Sequence, residues 1–164
     1  MDFDVAIVGA GPGGAAAALA LAGRDLRVAL IEKSVPPRYK TCGGGILGRA
    51  ARLLPLAIDS VVERQCLEVE LIHHAPDLHL NVRREQPIIS MVMRDRFDLR
   101  LTEEARRRGT KLFAGTSVLA VTPRPNDVVL ATTDGELRAR FVIAADGVGS
   151  AVARLTGAPE LRRV

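Results

Sequence analysis

Three glycines, Gly9, Gly11 and Gly14, have a spacing that suits the binding of a nucleotide pyrophosphate. In this G-x-G-x-x-G pattern the first glycine permits a tight turn, the second lets the backbone approach the phosphates, and the third lets a helix pack closely on a strand. The phosphates then bind N–H groups at the helix N-terminus, where the helix dipole is positive. The pattern alone is a weak signal, because a glycine-rich turn between strand and helix also occurs without a ligand.

A carboxylate follows this turn at the place where a ribose would bind. The residues from Leu26 to Ile31 form an apolar strand pattern that ends on Glu32. Dinucleotide sites have such an acid about 20 residues beyond the glycines, where it accepts hydrogen bonds from both ribose hydroxyls and disfavours a 2′-phosphate. The order of strand, turn, helix, strand and acid predicts a dinucleotide site whose tightly held nucleotide is not NADP.

A second strand pattern ends in residue types that suit the same kind of site. The apolar stretch 141–145 stops at Asp146-Gly147, which is followed by Val148-Gly149-Ser150 and a short helix pattern. We therefore interpret Asp146-Gly147 as a second feature that faces the nucleotide.

The elements that position these residues alternate between helix and strand patterns. Strands at 4–8 and 26–31 and a helix at 15–22 surround the glycine turn. A loop over 34–48 and a short helix at 49–54 come next. Three strand patterns then predict an antiparallel excursion inserted into a parallel α/β fold, at 66–73, 77–82 and 88–93. The remaining predictions are a helix at 95–108 and strands at 111–114, 117–121, 128–132 and 137–145.

The helix predicted at 95–108 has a charged face. Glu103 and Glu104 precede Arg107 and Arg108 by four residues. This spacing stabilises a helix by roughly 0.2–0.5 kcal/mol per pair. We expect this face to be exposed to solvent.

Composition argues against several classes of function. Of the 164 residues, 3% are aromatic and none is tryptophan, so platforms for stacking nucleic-acid bases are not expected. The net charge of +4 fits an anionic cofactor or an acidic membrane surface, and scattered solvated arginines explain it equally well. Strand alternation separates His73 from His74, so no metal site is predicted. The acidic start of the chain and the absence of an apolar run of roughly 18 residues predict a cytoplasmic protein, with peripheral membrane contact left open.

Four motifs spread over residues 4–154 have a family resemblance. They are the glycine turn with Glu32, Lys40-Thr41-Cys42-Gly43-Gly44-Gly45, Arg94-Asp95-Arg96-Phe97-Asp98, and Ala145-Asp146-Gly147-Val148-Gly149-Ser150. In combination they resemble FAD-dependent oxidoreductases of the aromatic hydroxylase type, and most closely the geranylgeranyl reductase family.

The resemblance implies a Rossmann-like FAD-binding domain of the glutathione reductase type. Residues 1–164 would form an N-terminal FAD/NAD(P)-binding domain, in which 60–93 is an antiparallel insertion that contributes to the substrate side. Members of this family continue through a Gly-Asp segment and most of a substrate pocket, which this sequence lacks. The C-terminal substrate region is therefore expected to be absent, whether the chain is a truncated product, a piece of a longer chain, or one half of an enzyme with a separate C-terminal half.

The resemblance also implies which residues lie at the cofactor. Arg94 would lie along it, Val118 would present backbone to the adenine edge, and the Cys42 loop would approach the isoalloxazine ring. Cys42 itself fits either a contact to the flavin or substrate, or a small buried filler. The implied cofactor-binding residues are Gly9, Gly11, Pro12, Gly13, Gly14, Glu32, Cys42, Gly43, Arg94, Val118, Asp146 and Gly147.

The implied activity is reduction of isoprenoid carbon–carbon double bonds by FAD, with NAD(P)H or another reductant as electron donor. The substrate would be a geranylgeranyl chain or another apolar small molecule, and no nucleic-acid partner is expected. No residue stands out as the proton donor. Two alternatives stay open, a non-catalytic fragment that binds FAD or ADP, and a relative of the aromatic hydroxylases.

Overall fold

The structure, a computed structural model, describes residues 1–75 and 77–158 in two compact units. The first unit combines Met1–Arg38 with the chain from Asp98 onward, and the second is Tyr39–Phe97. The helices are α1 (Pro12–Leu21), α2 (Gly48–Ala51), α3 (Arg94–Arg107) and α4 (Ala151–Leu155), with a 3-10 turn at Asp59–Val61. The strands are β1 (Phe3–Val8), β2 (Val28–Glu32), β3 (Gly45–Leu47), β4 (Val62–Cys66), β5 (Glu68–His74), β6 (Asp77–Arg83), β7 (Ile89–Val92), β8 (Lys111–Ala114), β9 (Val118–Pro123), β10 (Val128–Thr132) and β11 (Gly135–Ala144).

The first unit is built on one sheet with the strand order β8-β2-β1-β11-β10-β9. Strands β8, β2, β1 and β11 run parallel, and β9, β10 and β11 form an antiparallel meander. The long strand β11 belongs to both parts, because its Phe141 lies opposite Val5 of β1 and its Ala139 lies opposite Val128 of β10. The carboxyl ends of the parallel strands β8, β2, β1 and β11 therefore lie along the same edge of the sheet.

Apart from Asp4 and Glu32, the residues of strands β1 and β2 are apolar, because both faces of these strands are covered. Ala6 and Ile31 belong to a core cluster with Leu130 of the meander. Ile7 and Leu30, which alternation places on the opposite face, are also fully buried. Helix α1 contacts β1 and β2. Its buried residues include Ala15 and Ala18, whose small side chains let the helix lie close to the sheet.

The second unit consists of antiparallel pairs. Strands β3, β7 and β4 form one sheet, and β5 and β6 form a hairpin. Cross-strand neighbours on one face of the hairpin are apolar, as in the pairs Val69 with Val82 and Leu71 with Leu80.

The fold class predicted from the sequence is confirmed, a parallel α/β sheet with an antiparallel excursion. Two differences concern the excursion. The predicted loop over 34–48 contains the short strand β3, and β4 was not predicted because its sequence Val-Glu-Arg-Gln-Cys is mostly polar and exposed. In the part of the chain that the structure describes, no helix has the length and apolar character needed to cross a membrane.

The prediction that the charged face of α3 is solvent exposed is wrong for Glu104. This side chain is buried, and its carboxylate lies within 2.6 Å of Arg107, 2.7 Å of Arg108 and 3.5 Å of Arg100. Glu103 is exposed, as expected. Hydrogen bonds from Arg107 and Arg108 hold the pKa of Glu104 at about 2, below its ordinary value, although burial acts in the opposite direction.

Candidate nucleotide site

The glycine turn lies where β1 ends, and two of its glycines are required by packing. Gly9 has a φ of +100°, and a Cβ added there would lie 2.5 Å from the carbonyl oxygen of Ala145. A Cβ on Gly14 would collide with the carbonyl oxygen of Gly9. These contacts confirm the predicted tight turn and the close packing of helix on strand, and they place the turn directly beside the end of β11.

The N-terminus of α1 has the features of an anion site. Gly11 is the N-cap, and the N–H of Ala15 donates to its carbonyl at 2.9 Å. The first N–H groups of a helix have no acceptor within the helix, and here they belong to Gly13 and Gly14 because Pro12 has none. Among the described residues, no side chain caps this helix end and none lies within 4 Å of a Cβ added at Gly13, and the first turn contains no acid. A phosphate fits this position, because the helix dipole attracts it and the first turn of the helix has no acid of its own.

Glu32 lies at the end of β2, next to the glycine turn, and its carboxylate is buried. Its Oε2 accepts the N–H of Ala10 at 2.9 Å, and its Oε1 accepts the N–H of Ser34 at 3.1 Å. The N–H of Gly9 donates to the carbonyl of Ile31 at 2.7 Å, which aligns the two strand ends. The structure thus brings together the predicted phosphate turn and the predicted ribose carboxylate.

Arg38 is a charged member of this region that the sequence analysis missed. Its guanidinium lies 3.4 Å from Oε2 of Glu32 and 3.3 Å from Oδ2 of Asp98. All three side chains are largely buried, with exposed fractions of 15% for Arg38, 6% for Glu32 and 5% for Asp98. The available signal was an arginine shortly after the strand-end acid, but the contact with Asp98 depends on the fold.

Asp146 lies beside Gly9 and has a local structural role. Its carboxylate accepts hydrogen bonds from the Ser150 hydroxyl at 2.6 Å and from the N–H groups of Ala151 and Val152 at 2.6 and 3.1 Å. Burial raises the pKa of Asp146, but these hydrogen bonds outweigh it, so the pKa lies below its ordinary value. Asp146 therefore anchors the start of α4. Gly147, the next residue, has a φ of +89°.

Val118 begins β9, opposite Thr132, and is half-buried against the core cluster. The preceding Thr116 donates its N–H to the carbonyl of Glu32 at 3.0 Å. The chain entering β9 therefore lies next to the end of β2. The predicted role of Val118 backbone at the adenine edge is compatible with this position and stays a prediction.

Three other predicted residues, Cys42, Gly43 and Arg94, lie in the second unit. Cys42 is exposed, and its Sγ accepts the N–H of Gly44 at 3.4 Å, which argues against a small buried filler. Gly44 has a positive φ, and a Cβ on it would collide with the carbonyl oxygen of Val92, so its identity is required by packing on β7. Arg94 is the first residue of α3. The roles of these three residues toward a cofactor stay predictions.

A parallel sheet with a glycine turn, an uncapped helix N-terminus and a buried strand-end glutamate defines an α/β dinucleotide-binding protein. The model of a family described as an FAD binding domain matches residues 2–162 of the chain. The chain therefore belongs to this family of FAD binding domains.

Several known proteins are similar to this chain over nearly its whole length. An uncharacterized protein of Methanosarcina barkeri is 30% identical over 152 residues, which cover 93% of this chain and 39% of that protein. The probable electron transfer flavoprotein-quinone oxidoreductase YdiS of Escherichia coli is 32% identical over 166 residues, covering 94% of this chain and 39% of YdiS. The crystal structure of a geranylgeranyl bacteriochlorophyll reductase-like protein from Thermoplasma acidophilum superposes with a TM-score of 0.81 at 25% identity, covering 94% of this chain and 42% of that one. The chain thus spans about two fifths of the length of the curated relatives it matches.

Proposed function

We propose that this chain is the FAD-holding part of an oxidoreductase that reduces carbon–carbon double bonds of an isoprenoid chain. The observation that supports the cofactor most directly is the uncapped N-terminus of α1 beside the buried carboxylate of Glu32. The narrower assignment to isoprenoid reduction is supported by the likeness to the Thermoplasma protein named for geranylgeranyl bacteriochlorophyll reductase, and by the Cys42-Gly43-Gly44-Gly45 run that resembles the same family.

The residues present fit an adenine dinucleotide. The N–H groups of Gly13 and Gly14 would bind the pyrophosphate, and the open space beside Gly13 admits it. Glu32 would accept hydrogen bonds from the adenosine ribose. When bound, FAD supplies the two-electron chemistry that saturates a double bond. The chain's own contribution is to bind and orient that group.

The remaining parts of the proposal concern partners. NAD(P)H or another reductant would supply electrons, and the substrate would be a geranylgeranyl or other apolar chain. Because an apolar chain of this kind partitions into membranes, we propose a cytoplasmic protein that makes peripheral contact with a membrane. A C-terminal region, on the same chain or a separate one, would complete the substrate side.

A second candidate is transfer of electrons to a quinone. The 32% identity to a probable electron transfer flavoprotein-quinone oxidoreductase favours it. Both candidates use the same FAD site and differ in the acceptor, which is an alkene in one and a quinone in the other.

Two measurements test these proposals in order. First, the purified chain is titrated with FAD, and flavin absorbance and thermal stability are recorded. If no flavin copurifies with the chain and added FAD does not raise its Tm, the cofactor assignment is contradicted, since a ligand that binds the folded state raises Tm.

Second, the FAD complex is reduced without oxygen, and reoxidation is followed after addition of geranylgeranyl diphosphate, a short-chain quinone or a phenol. Formation of a saturated prenyl product supports the first candidate, and reoxidation by the quinone alone supports the second. Phenol hydroxylation on readmission of oxygen would point instead to an aromatic hydroxylase. If the chain binds FAD but reacts with none of these acceptors, the fragment that binds FAD without catalysis is favoured.

A further inference from the structure

Arg38 lies between two buried carboxylates at the position predicted for the ribose. Its Nη2 atom lies 3.4 Å from Oε2 of Glu32, and its Nη1 atom lies 3.3 Å from Oδ2 of Asp98. One guanidinium therefore faces two carboxylates in a region with little access to water. Charges in such surroundings interact more strongly than at the surface.

The hydrogen bonds of Glu32 limit what a ribose can do there. A carboxylate has about four acceptor positions. Among the described residues, the N–H of Ala10 and the guanidinium of Arg38 take two on Oε2, and the N–H of Ser34 takes one on Oε1. A ribose that engages both oxygens of Glu32 has to displace the long contact of Arg38. Arg38 then keeps Asp98 as its partner.

An arginine near this strand end has a different use in other dinucleotide sites, where it binds a 2′-phosphate. A guanidinium pairs well with phosphate because its fork of N–H groups matches the phosphate oxygens. In this chain Asp98 already occupies one side of that fork, and a 2′-phosphate would face the two carboxylates as well.

We propose that Asp98 sets the nucleotide specificity of the site. By holding Arg38, Asp98 withholds this guanidinium from a 2′-phosphate and leaves Glu32 for a free 2′-hydroxyl. Asp98 is thus a positioning residue that acts through Arg38. This inference rests on the proposed nucleotide role of Glu32, and it adds the residue that makes the site reject phosphorylated ribose.

The test compares two ligands that differ by one phosphate, ADP-ribose and 2′-phospho-ADP-ribose. Each displaces FAD from the full chain in a fluorescence titration, and the ratio of their dissociation constants is the readout. Asp98→Asn keeps the size of the side chain and frees the charge of Arg38. We expect this variant to shift the ratio roughly tenfold toward the 2′-phosphorylated ligand, the equivalent of one hydrogen bond to a charged group.

Three further variants separate this effect from structural damage. Glu103→Gln removes one charge from the exposed face of the same helix and should leave the ratio unchanged. The double variant Asp98→Asn with Arg38→Gln should return the ratio to the wild-type value or below, because the effect passes through Arg38. Arg38→Gln alone should lower the relative affinity for the phosphorylated ligand, and it tests the inference even where Asp98→Asn does not fold.

Failure of this inference can be distinguished from failure of the proposed function. An unchanged ratio in Asp98→Asn, or a raised preference for 2′-phosphate in Arg38→Gln, overturns the inference while leaving FAD binding intact. If FAD binds but ADP-ribose does not displace it, the ribose assignment of this region is wrong and the inference falls. If the wild-type chain does not bind FAD, the proposed function and the inference fail together.

Discussion

The Oε2 atom of Glu32 accepts a hydrogen bond from the backbone N–H of Ala10 at 2.9 Å, so the end of β2 is tied to the glycine turn that follows β1. The same carboxylate accepts the N–H of Ser34 at the start of the next loop. Glu32 therefore shapes the turn, and in the proposed site it would also accept hydrogen bonds from the ribose. A change at this residue should therefore affect the folded backbone and, if the proposed site is right, the affinity for the nucleotide.

Replacing Glu32 should weaken FAD binding. Glu32→Ala removes the acceptor of the ribose hydroxyls, and we expect a loss of roughly 1.5–3 kcal/mol in binding free energy, the range for hydrogen bonds to a charged group. Glu32→Gln keeps one carbonyl oxygen and should fall between Ala and wild type. Calorimetric titration with FAD measures the difference.

The matched control for Glu32→Ala is Glu103→Ala, which changes an exposed glutamate on α3. It should bind FAD as the wild type does. Thermal unfolding without ligand measures how much stability the fold loses when the N–H groups of Ala10 and Ser34 no longer have this acceptor. An FAD affinity that stays the same in Glu32→Ala contradicts the ribose assignment.

The sequence predicted the parts of this site that are encoded by neighbouring residues. The glycine turn and Glu32 were found because strand, turn and helix patterns lie next to one another in the chain. Arg38 was missed because its partner Asp98 lies far away in sequence, and only the fold brings the two side chains together. A local pattern contains no information about such a pairing.

Glycines of one motif should respond differently to the same substitution. A Cβ on Gly14 would collide with the carbonyl oxygen of Gly9, and overpacking of this kind costs about 1–3 kcal/mol. A Cβ on Gly13 would meet nothing, and alanine stabilises a helix by up to about 1 kcal/mol relative to glycine. We therefore expect Gly14→Ala to lower Tm and Gly13→Ala to leave it unchanged or raise it.

Gly13→Ala should nevertheless weaken FAD binding, because its methyl group enters the space predicted for the pyrophosphate. We expect a loss of roughly tenfold in affinity, about one charged hydrogen bond. Titration with FAD and thermal unfolding of the same sample separate the two effects. A Gly13→Ala protein that binds FAD normally would show that the phosphates do not approach the backbone there.

The charge interactions of α3 show a second limit of sequence reasoning. The spacing of Glu104 to Arg108 correctly predicted an ion pair. It did not predict burial, because the apolar spacing of the helix does not show which neighbours cover its charged side. Gly44 gives a similar case, since its packing against Val92 depends on the pairing of β3 with β7, which are distant in sequence.

Asp146 should stabilise the fold in a way that depends on pH. Its carboxylate accepts the N–H groups of Ala151 and Val152, and loss of such a helix cap costs about 0.5–2 kcal/mol. Because the folded pKa lies below the ordinary value of 3.8, the charged form stabilises the folded state. The difference in Tm between wild type and Asp146→Ala should have its full size above pH 3.8 and should decrease as the pH falls below this value.

The control for this series is Asp59→Ala, which removes an exposed carboxylate from the second unit. Its effect on Tm should be small at every pH. A difference for Asp146→Ala that persists unchanged into strong acid would show that the carboxylate charge does not anchor α4.

Glu104 should contribute to stability at neutral pH through its three guanidinium partners, and the contribution should disappear in strong acid. Hydrogen bonds from Arg107 and Arg108 hold the pKa of Glu104 at about 2, below the ordinary value of 4.5. Because the pKa of Glu104 is lower in the folded state, its charged carboxylate stabilises that state at pH values above the ordinary pKa of 4.5. Glu104→Gln should therefore lower Tm above pH 4.5, and this deficit should shrink as the pH falls toward 2. Glu103→Gln, the exposed neighbour on the same helix, is the matched control and should change Tm little across the series. Equal effects of the two substitutions at neutral pH would contradict the view that the buried cluster, rather than the net charge of the helix, provides the stabilisation.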